Sequence, residues 1–217
     1  GGWKLNGRKI WTTNAHRAHN IIVLVRTSQV EGSRHAGLSQ FVIDLKTPGI
    51  NISPIISMAN EHDFNEVLFE DVIVPDDALI GREGNGWNQV SAELAFERAG
   101  PERWLSSFRL LAEMVDVLGS DARPSSVEDL GRLLSHLLAL RQLSLSVAGM
   151  IQQGQSPNLE AAIVKDLGTK FEQESVRVIR DIVAAEDLTG DGRAERLKAL
   201  LIHAQQYAPA FTIRGGT

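Results

Sequence analysis

The sequence predicts an α+β protein: an antiparallel β-barrel or sandwich segment followed by an antiparallel four-helix bundle. Two observations carry this. Up to residue 75 the apolar residues come in short runs or at period two, between turn residues. From about residue 86 they recur at a period of 3.6 over long stretches. The change of period divides the chain into 1–84, part of a β domain, and 85–217, a helical bundle.

The β elements follow in order. "WKLNGRKIWTT" holds Asn6-Gly7 between two short alternating runs, which predicts a hairpin. "NIIVLVRTS" (20–28) is a continuous apolar run and predicts a strand buried on both faces. "SQFVIDL" (39–45) is a further strand, and Pro48-Gly49 turns the chain into "INISPI" (50–55). "FNEVLFEDVIVP" (64–75) alternates Val67, Phe69, Val72 and Val74, with one phase slip at Glu70-Asp71.

Helical patterns cover 87–119, 126–153, 159–185 and 193–206. "GSDARPSS" and "GQSPN" separate the first three, with Ser126 and Asn158 as N-caps and Gly154 as a C-cap. "AAEDLTGDGRAE" (184–195) is the polar loop before the last.

Composition excludes several functions. A net charge of −5 argues against a general nucleic-acid binder. With no cysteine there are no disulfides, thiolate metal sites or cysteine nucleophiles. No uninterrupted apolar run is long enough to predict a membrane span, and no signal peptide opens the chain. The default compartment is cytoplasmic. "GGWKLNGRKI" enters directly into strand-like alternation and "FTIRGGT" stops on a turn, so the chain reads as a fragment or the ordered part of a longer one.

Two stretches carry candidate chemistry. In 86–119 one helical stripe runs through Val90, Leu94, Glu97, Pro101, Trp104, Leu105, Phe108, Ala112 and Val115. Glu97 is its single acid, and Pro101 deprives the Glu97 carbonyl of its helical partner, which predicts a kink. A carboxylate on a buried face has its charged form disfavoured, which suits a general base. The same position also suits a buried acid paired with an arginine. In "WTTNA" (11–15), Trp11 and Thr13 share a strand face at period two and can hold a flat heteroaromatic ring. On the residues alone, a strand-end core suits them better.

Other motifs are turns. His16, His19 and His35 lie in polar loops and predict no metal. "GREGNGW" (81–87) lacks the features of a P-loop or dinucleotide fingerprint. "TGDGR" (189–193) lacks the glutamate of a calcium loop.

Together "WTTNA", "TPGI", "FNEVLFEDVIVPDDALIG", "GREGNGW" and the long helix after them resemble the acyl-CoA dehydrogenases. The resemblance implies the second part of the family's middle β domain and most of its C-terminal four-helix domain. It implies FAD, with Trp11 and Thr13 against the flavin ring, Thr12 as a backbone contact, and Thr217 toward the diphosphate. Most members carry the catalytic glutamate just before the final Gly-Thr, where this chain has Gly215. A minority carry it on the first C-terminal helix before an arginine, which "FERAG" matches as Glu97-Arg98. The resemblance implies that Glu97 removes the α proton of an acyl-CoA thioester while the β hydride passes to flavin N5, giving the trans-2-enoyl-CoA. The Gly215 N–H would polarise the thioester carbonyl, and Arg98 would orient Glu97 or a CoA group.

An electron-transfer flavoprotein would be the electron acceptor, and the assembly a homo- or hetero-oligomer, without nucleic acid or membrane. The family's "R-x-x-F-G" motif is absent: "GSDARPSSVEDLGRL" stands there. That departure supports an alternative, a non-catalytic or flavin-site-completing subunit of a heteromeric acyl-CoA dehydrogenase.

Overall fold

The computed structural model describes residues 1–188 and 192–215, and of Ala95 the backbone alone. The chain divides into two compact units, residues 1–92 and 93–217.

The first unit holds six strands: β1 (Trp3–Thr13), β2 (Asn20–Arg26), β3 (Leu38–Asp44), β4 (Ile50–Ile55), β5 (Phe64–Val74) and β6 (Leu79–Ile80). They form two three-stranded antiparallel sheets, β1-β5-β4 and β2-β3-β6. Leu5, Val67, Phe69, Val72 and Val74 from one sheet meet Val23, Phe41 and Ile43 from the other in a single core. This is the sandwich that alternating residues predict.

Two local expectations change. Asn6-Gly7 is not a hairpin turn, because β1 runs through it to Thr13. The register jumps between Leu5↔Val72 and Gly7↔Phe69, so Glu70 and Asp71 together oppose Asn6. The phase slip at Glu70-Asp71 is therefore a β-bulge. Asn6 secures it by donating to Asp71 Oδ1 at 2.9 Å and accepting from the Asp71 N–H at 2.8 Å. The second change concerns β2, which is not covered on both faces: Val23 is buried while Ile22 is 58% exposed.

The boundary between units falls within α1 (Gly86–Ala99). The second unit continues through a 3-10 turn (Pro101–Arg103), α2 (Phe108–Val117), α3 (Pro124–Gln152), α4 (Asn158–Ala185), α5 (Gly192–Tyr207) and a closing 3-10 stretch (Ala208–Ile213). Leu111, Met114, Leu133, Val164, Ile179, Ile182 and Leu197 form its core.

The single helix expected over 87–119 is broken rather than kinked. Pro101 sits at the start of the 3-10 turn, where its missing N–H costs nothing. The turn resets the helical phase. Trp104 stays buried, but Phe108 and Val115 become exposed, and Leu110, Leu111 and Met114 face the core instead.

Caps also move. Pro124 takes the first position of α3 after Arg123, so Ser126 lies in the first turn, bonded to Glu186. Pro157, not Asn158, caps α4. Gly154 stands as expected: at φ +76 it lets Gln155 N–H reach the Met150 carbonyl and its own N–H reach Ile151, the Schellman pattern. A Cβ at Gly154 meets nothing, so Gly154→Ala should cost about 1 kcal/mol from the left-handed backbone alone. Urea unfolding of the pair of proteins measures this.

Among the described residues α3 is long and apolar enough, by length and composition, to cross a membrane. Its Leu130, Leu133, Leu140 and Val147 are buried in the bundle, while Leu134, Leu138, Leu143 and Leu145 are exposed.

Candidate active site

The β1 strand ends in a second bulge. Lys9 pairs with Val67 and Thr12 with Asn65, so Ile10 and Trp11 are squeezed against one residue of β5. Trp11 takes a left-handed φ of +60 to make this turn. Period-two alternation from Trp11 to Thr13 therefore does not run through regular strand. The indole is 59% exposed and stands edge-on to Phe64, with ring centroids 5.9 Å apart. Thr13 pairs with Phe64 in the register and is exposed too. Thr12 is half-buried, and its carbonyl accepts from Asn65 Nδ2 at 3.1 Å. The indole is open and its backbone constrained, so Trp11 is not a strand-end core residue.

In the second unit, Glu97 lies in the last turn of α1. Its carbonyl, released by Pro101, accepts from the Gly100 N–H at 3.4 Å and from Arg103 Nε at 3.2 Å. The Glu97 carboxylate pairs with Nη2 of the same guanidinium. The Arg103 side chain is 7% exposed and that of Glu97 46%. Glu97 is thus not on a buried face, as the stripe predicts: Val90 and Leu94, which precede it on the stripe, are themselves only half-buried. Arg103 is the buried member of the pair.

Arg98 Nε donates to the Gly215 carbonyl at 2.9 Å. Gly215 has φ +67, and a Cβ there would stand 3.6 Å from Arg103 Cζ and Nε and from Arg98 Cγ. Glu97 and Gly215 therefore border one guanidinium, that of Arg103. Thr217 lies outside the described residues, and among those residues no cluster of His, Asp or Glu could hold a metal.

Residues 1–72 match the family model "Acyl-CoA dehydrogenase, middle domain". The acyl-CoA dehydrogenase FadE34 of Mycobacterium tuberculosis is 31% identical over 183 residues, 84% of this chain and 26% of that protein. The acyl-CoA dehydrogenase IpdE1 of Mycolicibacterium smegmatis is 30% identical over 221 residues, 99% of this chain and 54% of that protein. The chain belongs to the acyl-CoA dehydrogenase family. It spans a quarter to about half of these relatives' lengths, as middle domain plus C-terminal region. The fold agrees: butyryl-CoA dehydrogenase from Megasphaera elsdenii superposes with a TM-score of 0.85, at 23% identity, over 100% of this chain and 57% of its own.

The chain also carries polar groups that the sequence did not reveal. Glu172 is fully buried in α4. It accepts the Ser106 N–H at 2.7 Å and pairs with Arg214 Nη2. Arg214 Nη1 donates to Ser106 Oγ at 2.7 Å and to the Glu102 carbonyl at 3.1 Å, and its guanidinium lies over the Phe211 ring. Burial pushes the Glu172 carboxyl up, against the pull of Arg214 and Ser106. Burial likewise pushes Arg214 down, against Glu172. Lys165 donates to the Thr212 carbonyl at 2.8 Å, and burial lowers it, with the charges of Arg98, Arg103 and Arg214 acting in the same direction.

The signal for Glu172 was available. Gly168, Glu172, Ser175, Ile179 and Ile182 are a buried stripe at spacings of three and four, with one acid on it. Arg103 had no such signal, because a cation in "GPER" reads as a solvated turn.

Proposed function

We propose that this chain is the part of a FAD-dependent acyl-CoA dehydrogenase that supplies its catalytic base, and that Glu97 is that base. The observation that supports this most is the meeting of Glu97 and Gly215 at Arg103. A carboxylate reaching from α1 meets the same guanidinium that a residue-215 side chain would meet. The partial exposure of Glu97 leaves it an open side from which substrate can approach.

Members of this family are FAD flavoproteins. The exposed Trp11 plane and the Thr13 hydroxyl fit the flavin ring, with Thr12 contributing backbone and Thr217 the diphosphate end. Bound FAD supplies the acceptor for the β hydride of the acyl group. Glu97 takes the α proton onto its carboxylate, so the substrate leaves as the trans-2-enoyl-CoA. The Gly215 N–H stabilises the enolate-like charge that builds on the thioester oxygen. Arg98 holds the turn that carries this donor through the Gly215 carbonyl. Arg103 pairs with the Glu97 carboxylate and holds it aimed until substrate displaces it. In the intact protein the electrons then pass to an electron-transfer flavoprotein.

The test is optical. Intact protein purified alone should be yellow, or become so with FAD, and acyl-CoA added without oxygen should bleach it. A colourless protein that FAD cannot reconstitute would overturn this and leave the site-completing subunit.

A further inference from the structure

The first unit contains a polar cluster that the proposed chemistry does not use. Asn65 is fully buried at the start of β5. Its Nδ2 lies 3.1 Å from the Thr12 carbonyl and 3.1 Å from His16 Nδ1, and its Oδ1 lies 2.8 Å from His62 Nε2. These contacts define one another. A carbonyl oxygen only accepts, so the atom facing Thr12 must be the amide nitrogen. That nitrogen then donates its second hydrogen to His16, whose Nδ1 must be an unprotonated acceptor. The remaining atom is the amide oxygen, so His62 Nε2 carries a hydrogen. The two imidazoles also stack, with centroids 3.8 Å apart and planes 15° from parallel.

The cluster grips a segment with unusual backbone. Trp11 and Asn14, at φ +60 and +55, bracket Thr12 and Thr13. Left-handed backbone at residues other than glycine persists where the surroundings over-determine it. Asn65 holds the Thr12 carbonyl between them, and the Asn14 N–H donates to the Asp63 carbonyl at 2.7 Å, next to His62.

We infer that Asn65 is a positioning residue that fixes the Trp11–Thr13 segment through the Thr12 carbonyl, and that a proton on His16 Nδ1 releases the hold. The inference rests on the ring-binding reading of Trp11 and Thr13. A protonated Nδ1 would point a hydrogen at the Asn65 amide hydrogen, replacing an attraction by a repulsion. The groups facing His16 are His62 and Asp63 from the loop before β5, Arg17 from its own turn, and Asn65 from β5. Desolvation lowers His16 from its ordinary value, with His62 and Arg17 acting the same way, while Asn65 and Asp63 raise it. A lowered histidine favours the fold above the ordinary value of about 6.5. That contribution is lost as pH falls through the folded value, so release belongs on the acid side of about 6.5.

The test is fluorine NMR of the intact protein labelled with 5-fluorotryptophan, with the Trp11 resonance assigned by Trp11→Phe. In wild type this resonance should move with a midpoint below about pH 6.5. In His16→Gln, whose side-chain oxygen can still accept from Asn65, it should not titrate. In Asn65→Leu it should sit at the acid position at neutral pH, and FAD affinity, read by flavin fluorescence, should fall about ten-fold. A Trp11 resonance that titrates alike in wild type and His16→Gln would overturn the inference. His16→Gln keeps that test available if Asn65→Leu does not fold. A Trp11 resonance that behaves as expected while FAD affinity is unchanged in Asn65→Leu would uphold the hold and overturn the ring-binding reading instead.

Discussion

Replacing Glu97 by Gln should leave acyl-CoA binding within a few-fold and slow substrate bleaching of the flavin by about 10²- to 10⁴-fold, the usual worth of a positioned base. The amide keeps the size of the carboxylate and can still accept from Arg103 Nη2, so the ion pair becomes a neutral hydrogen bond. The Glu97 carbonyl keeps its own bond from Arg103 Nε, so the end of α1 should hold. What disappears is the capacity to take a proton. The loss should therefore fall on kcat with KM little changed, the signature of an interaction made in the transition state. Rapid-mixing absorbance under acyl-CoA saturation reads both quantities. A parallel rise in KM would mean that Glu97 binds substrate instead.

The second large effect concerns stability. Arg214→Met should destabilise the helical unit by about 3–5 kcal/mol, because it strands the fully buried Glu172 without its counter-ion. Arg214 also bonds Ser106 Oγ and the Glu102 carbonyl, so the loss removes the tie between the chain end and the segment after α1. The pH dependence follows from Glu172, whose folded carboxyl is raised by burial. A raised carboxyl binds a proton in the fold that the unfolded chain releases. Its contribution is present below the unfolded value of about 4.3 and lost as pH rises through the folded value. Arg214→Met should therefore be weakest at neutral to alkaline pH and recover as pH falls toward 5. Glu172→Gln added to it should restore much of the loss at neutral pH, since a neutral amide needs no counter-ion. Thermal unfolding across pH measures all three proteins. An Arg214→Met loss that does not depend on pH would contradict this account.

What the sequence made legible was local. The phase slip at Glu70-Asp71 became a bulge at that position, and the Gly154 cap needs only the residues beside it. Asn6-Gly7 was misread because its bond runs to Asp71, and a hairpin signal cannot register a partner so far along the chain. Glu97 stood out in the sequence for a reason that the structure reverses. Pro101 ends α1 instead of bending it, so the apolar stripe used to bury Glu97 does not continue past it. The carboxylate is partly open and paired, while the buried acid at helical spacing is Glu172. Arg103 and Asn65 were illegible, because their roles depend on contacts to Glu97 and Thr12 that appear only once the backbone has turned.

The central claim is that Glu97 moves the α proton, and exchange at the α carbon tests it without depending on the hydride step. Intact protein with FAD would be incubated with acyl-CoA deuterated at C2, and loss of deuterium to water followed by mass spectrometry. Wild type should wash out the label, and Glu97→Gln should retain it. Undiminished wash-out in Glu97→Gln would contradict the account and place the base at another residue.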